Sequence, residues 1–130
     1  AHGTPIDEDA YIFGEIEALN VFRRTDFQVC FFGHSHFPVI FELSPDAITT
    51  ILTVPPSFRY KLRPGMRYLI NPGSIGQPRD GNPEASFAIY DGTARTVTIQ
   101  RVPYRLKQAQ QRIIAAGLPR PLADRLALGR

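Results

Sequence analysis

Residues 29–38, Val-Cys-Phe-Phe-Gly-His-Ser-His-Phe-Pro, join a short apolar run to two histidines. The run Val29–Phe32 predicts a short buried strand that stops at Gly33. In an extended segment residues i and i+2 point to the same side, so we expect the rings of His34 and His36 to reach one site beyond the strand. Ligands bind at such strand ends in α/β sheets, and neutral imidazole is a common metal ligand. A solvated loop pair is the alternative; the position after a buried strand favours a metal site.

The composition indicates one globular domain, residues 1–130, with 43% hydrophobic residues. No apolar run approaches the roughly 18 residues needed to cross a membrane, and no signal peptide precedes the first predicted strand. We therefore expect a cytoplasmic protein without a membrane partner. The single cysteine, Cys30, excludes an intrachain disulfide framework.

The net charge of +3 is mild, but it is unevenly distributed along the chain. The start is acidic, whereas the basic residues of the final segment are Arg101, Arg105, Lys107, Arg112, Arg120, Arg125 and Arg130. A basic helical tail can bind phosphates or nucleic acid, although a solvated helix face is the more common explanation. No interleaving of basic and aromatic residues of an RNA-binding type is present. Nucleic acid is therefore expected only as a substrate.

Hydrophobic periodicity predicts helices at both ends of the chain and strands between them. A helix is expected between Asp7 and Arg24, since acidic residues suit a helix N-terminus and basic residues its C-terminus. Turn signals at Ser44–Asp46 and at Asp91-Gly92 predict two hairpins. The predicted strands cover residues 39–43, 47–54, 58–62, 67–70, 86–90 and 96–102, and the later helices cover 104–116 and 121–128.

Four motifs follow one another along the chain. They are His2-Gly3 with a following Pro, Gly33-His34-Ser35-His36, Asn71-Pro72-Gly73-Ser74 and Gly76-Gln77-Pro78-Arg79. Together, and in this order, they resemble the motifs of the calcineurin-like metallophosphoesterases. The nearest branch is that of the small prokaryotic phosphodiesterases and diadenosine-tetraphosphatase-like proteins.

The resemblance covers only the C-terminal half of such a domain. It implies an α/β (α+β) fold in which a two-sheet β-sandwich is flanked by helices. The family's Asp-x-His, Gly-Asp and Gly-Asn-His-Asp motifs do not occur here. We therefore expect residues 1–130 to be the C-terminal part of one metallophosphoesterase domain, with the N-terminal half supplied by the same polypeptide or another chain. Without that half, the strands at 29–32 and 68–70 are expected to expose apolar faces.

The resemblance also implies a site for two divalent metal ions. By position, His2 and His34 would bind one ion and His36 the other, which uses all three histidines of the chain. Manganese, iron, zinc and nickel all accept imidazole together with carboxylate, so the metal stays open. The implied reaction is hydrolysis of a phosphate ester, by a phosphodiesterase or phosphatase in which the metals activate water. No catalytic residue is assignable here, because the family's general acid is the His of the missing Gly-Asn-His-Asp motif.

Four further residues are candidates for supporting roles. Arg79 could stabilise phosphoryl charge in the transition state, or it could be a structural arginine that pairs with Asp80 or a loop carbonyl. Asn71, Ser74 and Gly33 are expected to fix the loop beside the histidine pair.

Two other classes of protein remain open. One is a non-catalytic module derived from this fold that binds a metal or a partner, and the other is a nucleic-acid-binding protein that uses the basic tail. A cupin site would need a Glu four or five residues after His36 and a later His, which the chain lacks. A zinc finger would need cysteines at ligand spacing.

Overall fold

The computed structural model describes residues 1–130, which form seven strands in two sheets together with three α-helices. The strands are β1 Val29–Phe31, β2 Val39–Leu43, β3 Ile48–Leu52, β4 Ser57–Lys61, β5 Arg67–Asn71, β6 Ala85–Asp91 and β7 Thr96–Val102. The helices are α1 Glu15–Arg23, α2 Leu106–Ala115 and α3 Arg120–Asp124, and a 3-10 turn, Arg125–Leu128, follows α3. Every predicted strand is present, and the bounds differ by only a few residues.

The first sheet has the strand order β1-β5-β2-β3, and the second has the order β4-β7-β6. β1 is parallel to β5, whereas every other pair is antiparallel. Both predicted hairpins are confirmed, since β2 pairs with β3 and β6 pairs with β7. The C-terminal ends of β1 and β5 therefore lie side by side, and the two loops that follow these strands meet there.

The two sheets pack face to face through one apolar core. Ile40 of β2 and Ile70 of β5 meet Val97 and Ile99 of β7, and all four side chains are at most 2% exposed. Their neighbours along the first sheet point the other way, because successive strand residues alternate between faces. The expected two-sheet sandwich is confirmed.

Helix α1 covers the outer face of the first sheet. Its buried residues Val21 and Phe22 pack against Phe41 of β2 and Leu69 of β5. The first sheet is thus covered on both faces, which is why β2 and β5 read as nearly continuous apolar runs. The fold is a helix layer and two sheet layers, with the remaining helices at one end.

The predicted helix over residues 7–24 is wrong in its first half, since α1 begins only at Glu15. Thr4 folds residues 4–7 into a turn, because its hydroxyl oxygen accepts the Asp7 N–H at 2.9 Å. Gly14 is then the N-cap of α1, and Glu17 accepts the Gly14 N–H at 3.0 Å. The helix-like spacing of apolar residues before Gly14 therefore belongs to a loop.

The C-terminal helices pack onto the loop between β5 and β6 rather than onto a sheet. Gln110 of α2 donates to the Ala123 carbonyl of α3 at 2.9 Å. The Gly81 N–H donates to the Gly129 carbonyl at 3.1 Å. Helix α2 ends before Gly117, as predicted, and this glycine has φ of 72°.

Two edge strands lie open on the same side of the sandwich. β1 has only β5 as a neighbour, and β6 has only β7. Phe31 of β1 and Tyr90 of β6 pack edge to face with ring centroids 5.8 Å apart. The expectation of exposed apolar faces at residues 29–32 is met only in part, because residues 29–31 are half-buried and Phe32 is 2% exposed. It is wrong for residues 68–70, which are at most 1% exposed because β5 lies between β1 and β2.

None of the helices combines the length and the apolar character that crossing a bilayer requires.

Candidate metal centre

The loop after β1 carries His34 and His36 on a bent backbone. Their φ angles are 63° and 57°, in the left-handed region that residues other than glycine rarely adopt. The prediction that the two rings project from an extended segment is therefore wrong. Left-handed conformations of this kind cost of order 1–3 kcal/mol each and are concentrated at functional sites.

His2 meets His34 across 32 positions of sequence. Nε2 of His2 lies 2.8 Å from Nδ1 of His34, and the two ring centroids are 4.6 Å apart. The backbone brings the segments together, since the Gly33 N–H donates to the His2 carbonyl at 2.7 Å. A Cβ on the adjacent Gly3 would lie 2.3 Å from the Glu8 carbonyl oxygen, so only glycine fits there. The structure thus brings the His2-Gly3 motif next to the Gly33-His34-Ser35-His36 motif.

Tyr11 stacks on His34, with ring centroids 3.9 Å apart. Its other neighbour is Phe13, whose ring is nearly parallel at 5.0 Å. Phe13 is 72% exposed, so the aromatic pair forms an open wall beside the histidines. Sequence reasoning missed this role because it placed Tyr11 on a helix face.

His36 is held in one tautomer by the neighbouring loop. Its Nδ1 lies 2.7 Å from the Gln77 carbonyl oxygen. Because a carbonyl can only accept, Nδ1 carries the proton and neutral His36 keeps its lone pair on Nε2. Burial lowers the pKa of His36, the nearby charges of Arg79, His34 and His2 lower it further, and the bond to Gln77 opposes them without outweighing them. The neutral imidazole that ligation of a metal requires is therefore favoured.

Asn71 ties the end of β5 to the histidine loop. It is fully buried, and its amide nitrogen donates to the Gly33 carbonyl at 3.0 Å and to the Ser35 hydroxyl at 2.9 Å. Its amide oxygen accepts the Gly73 N–H at 2.9 Å. One side chain thus joins the loops that follow β1 and β5. Ser35, which is 3% exposed, is a member of this network that the sequence did not single out.

Ser74 orders the next turn, since its hydroxyl oxygen accepts the N–H groups of Gly76 at 3.2 Å and Gln77 at 2.9 Å. This turn presents the Gln77 carbonyl to His36. The structure therefore places Asn71, Ser74 and Gly33 against the histidine loop or the turn that supports it.

Arg79 is exposed, and its guanidinium forms no hydrogen bond or ion pair with the protein. Asp80 pairs with Arg101 instead, so the alternative that Arg79 pairs with Asp80 is wrong. The Arg79 N–H donates to the His36 carbonyl at 3.3 Å. The backbone of Arg79 is thereby held against that of His36.

The histidine arrangement fits imidazole ligation of a metal, but it does not complete a site. The nitrogens of His2 and His34 lie at hydrogen-bond distance, 2.8 Å, which is close to the roughly 3 Å between two nitrogens bonded to one ion at about 2.0–2.1 Å. No group of three or more His, Cys, Asp or Glu side chains gathers in a metal-binding arrangement.

Comparison with known proteins shows a clear structural relative. A crystal structure of a metallophosphoesterase from Sphaerobacter thermophilus matches the whole chain with a TM-score of 0.90 and 36% identity, and the match covers 54% of that protein. A hypothetical protein from Pyrococcus horikoshii OT3 matches the whole chain with a TM-score of 0.70 and 19% identity, over 45% of its own length. The latter shows the fold alone.

An uncharacterised protein of Methanocaldococcus jannaschii is 39% identical over 111 residues, which is 85% of this chain and 42% of that protein. No protein-family model matches the chain. The chain spans about half the length of the proteins that it matches. The metallophosphoesterase resemblance and the fold are confirmed, and the coverage is consistent with a C-terminal half.

Proposed function

We propose, for a chain with the fold of about half of a metallophosphoesterase, that it supplies the imidazole ligands of a dinuclear centre that hydrolyses phosphate esters. The observation that carries the proposal is the 2.8 Å approach of His2 to His34. These two residues would hold one divalent ion, and His36 would hold the second through Nε2. Divalent ions at such a centre act as Lewis acids on the phosphoryl group and activate water.

The metals would be manganese, iron, zinc or nickel, because each accepts imidazole together with carboxylate. The carboxylates would come from the complementary half, as would the general acid. A cytoplasmic location remains an expectation from the sequence.

The tethers around the histidines support the proposed ligand roles. Gln77 keeps the Nδ1 proton of His36 in place, which leaves Nε2 free. Asn71 and Ser74 hold the two loops in register. Partners of this kind orient metal-ligating histidines and raise their basicity.

Arg79 would bind the charged oxygens of the substrate. Its guanidinium has no partner within the protein, and it lies close enough to His36 to lower the pKa of that ring. A planar guanidinium can hold two phosphoryl oxygens at once, and such contacts strengthen as charge develops in the transition state.

The accessible surface supports the proposal that another half covers this chain. The chain exposes 7715 Å², whereas a folded monomer of this mass is expected to expose about 6,900 Å². The chain therefore exposes about 800 Å² more than this average. Phe13, Ile16 and Ile75 are each at least 72% exposed, and β1 and β6 are open edges.

A non-catalytic module is the second candidate, and one observation favours it. No cluster of three or more potential ligands is gathered for a metal. Such a module would keep the fold and bind a partner through the side on which β1 and β6 are open edge strands.

Hydrolysis of bis-p-nitrophenyl phosphate with added manganese separates the two candidates. The purified chain should show little or no turnover. Addition of the complementary half, encoded upstream or separately, should produce turnover that His36→Ala abolishes. A reconstituted protein that binds the complementary half but does not hydrolyse phosphodiesters or phosphomonoesters would favour the module.

A further inference from the structure

A cavity of about 570 Å³ lies between α2, the C-terminal helical segment and the loop residues Gly76 and Gln77. This volume is within the range of small-molecule binding sites, about 300–1,000 Å³. Residues 105, 108, 109, 112 and 113 line one side. Residues 108, 109, 112 and 113 share one face of α2 by their spacing, and residue 105 is the N-cap of this helix. The cavity is therefore shaped by the helix packing, and it is separate from the histidine pair.

Three arginines line this cavity, and no acidic residue does. They are Arg105, Arg112 and Arg125, and none of them forms a salt bridge. Arg125 donates through Nε to the Arg130 carbonyl at 2.8 Å, which leaves its two terminal nitrogens available. Arg105 and Arg112 make no side-chain hydrogen bond. Three guanidinium groups around one cavity favour a ligand with a multiply charged oxyanion.

The opposite wall is apolar. The segment after α2 supplies this leucine wall, which consists of Leu118, Leu122 and Leu126, and Leu118 and Leu122 are 50% and 39% exposed. Tyr104 also lines the cavity. The cavity thus combines cations with an apolar wall.

The cavity shares a wall with the histidine loop. Gln77 lines it, while the Gln77 carbonyl holds Nδ1 of His36. The Gln77 side chain donates to the Arg130 carbonyl at 3.1 Å, which also accepts from Arg125. A ligand that moved Arg125 would therefore act on a residue that positions His36.

We propose that this cavity binds an organic phosphate, with the phosphate on Arg105, Arg112 and Arg125 and the organic part against the leucine wall. It is a binding site in addition to the metal centre, and its occupancy does not depend on hydrolysis. Part of the positive charge of the final segment thus belongs to the three arginines that line this cavity. Arg101 is not part of it, because that side chain is buried against Asp80.

Calorimetric titration of the metal-free protein tests the proposal with three probes: adenosine 5′-monophosphate, inorganic phosphate and adenosine. The monophosphate should bind more tightly than either of the other two, since only it has both a phosphate for the arginines and an organic part for the leucine wall. Arg112→Ala should weaken its binding about tenfold or more, because the variant loses hydrogen bonds between charged groups. Leu122→Ser should weaken binding of the monophosphate more than binding of phosphate.

Arg120→Ala is the matched control. Like Arg112, Arg120 lies in a C-terminal helix. Its side chain, however, is 82% exposed, pairs with Asp124 and does not line the cavity. This variant should bind the monophosphate as the parent does, and circular dichroism should show that both variants are folded. Equal weakening by both arginine variants, or no saturable binding up to about 1 mM, would overturn the proposal.

His2→Ala separates this inference from the proposed hydrolysis. It removes a proposed metal ligand outside the cavity, so it should leave binding of the monophosphate unchanged. Loss of binding in His2→Ala would mean that the probe occupies the histidine site, which also contradicts the inference.

Discussion

The Tyr68 hydroxyl donates a 2.6 Å hydrogen bond to the carboxylate of Glu42, which is 2% exposed between the two sheets. Tyr60 donates to the same carboxylate at 3.0 Å, and Arg63 forms an ion pair with it. Burial alone would raise the pKa of Glu42, but the bonds from Arg63, Tyr68 and Tyr60 outweigh it and hold the pKa below its usual range. Burial and the bond to Glu42 raise the pKa of Tyr68 to about 12.

This network predicts a specific acid sensitivity. A carboxyl whose folded pKa is depressed contributes stability that is fully present above its unfolded pKa, about 4.3, and is lost as pH falls through the folded value. The free energy of unfolding should therefore decrease as pH is lowered below about 4.3. Glu42→Gln should lower stability at pH 7 by about 2 kcal/mol. It should also flatten the pH dependence, as measured by urea unfolding at a series of pH values. An unchanged slope in the variant would show that other carboxyls dominate.

Gly73 should not tolerate a side chain. Its φ is 82°, and an added Cβ would lie 2.6 Å from Cβ of Ser86. Gly73→Ala should therefore lower stability by about 1–3 kcal/mol, the usual cost of such strain.

Gly76→Ala is the matched control in the same loop. Gly76 does not have a positive φ, and nothing lies within 4 Å of its added Cβ. Thermal unfolding should show a lower midpoint for the first variant and little change for the second. Equal midpoints would mean that the loop between β5 and β6 adapts freely.

Asn71→Asp should disturb the histidine loop. The substitution removes the amide nitrogen that donates to Gly33 and Ser35 and places a carboxylate in a fully buried position. We expect a loss of about 1–3 kcal/mol, together with shifted imidazole resonances of His34 and His36 in NMR spectra.

The control is Asn82→Asp, because Asn82 uses its side-chain oxygen to accept the Glu84 N–H, and aspartate preserves that bond. This variant should be close to the parent in stability and in its histidine resonances. A parent-like spectrum of Asn71→Asp would show that Asn71 does not position the loop.

The isolated chain should not persist as a monodisperse monomer. Its open edges at β1 and β6 carry backbone groups that can pair with other strands, and the apolar side chains of Phe13, Ile16 and Ile75 are largely exposed. Analytical ultracentrifugation should show self-association, which addition of the complementary half should replace by a defined heterodimer. A single species near 14.6 kDa that unfolds cooperatively would favour an independent module.

The sheets could be predicted from the sequence because their signals are local. β2, β5 and β7 are apolar or β-branched runs bounded by turn residues, and both hairpins follow such turns. The first half of the predicted helix was wrong, because the hydroxyl of Thr4 and the flexibility of Gly14 favour a loop over an apolar pattern that is only approximately helical.

The histidine site was less predictable from local signals. Only the family resemblance joined His2 to His34, since their contact depends on a parallel strand pair and a bond from Gly33 that periodicity does not reveal. The stacking of Tyr11 on His34 likewise depends on the loop that replaced the predicted helix.

Pulsed EPR of the manganese-loaded protein, joined to its complementary half, tests the central claim most directly. Nitrogen hyperfine coupling reports imidazole bonded to the metal. The account predicts strong ¹⁴N coupling in the parent, reduced coupling in His36→Ala or His34→Ala, and none from this chain when His2, His34 and His36 are all replaced by alanine. Coupling that is absent from the parent, or unchanged in the triple variant, would contradict the claim that these three histidines bind the metals.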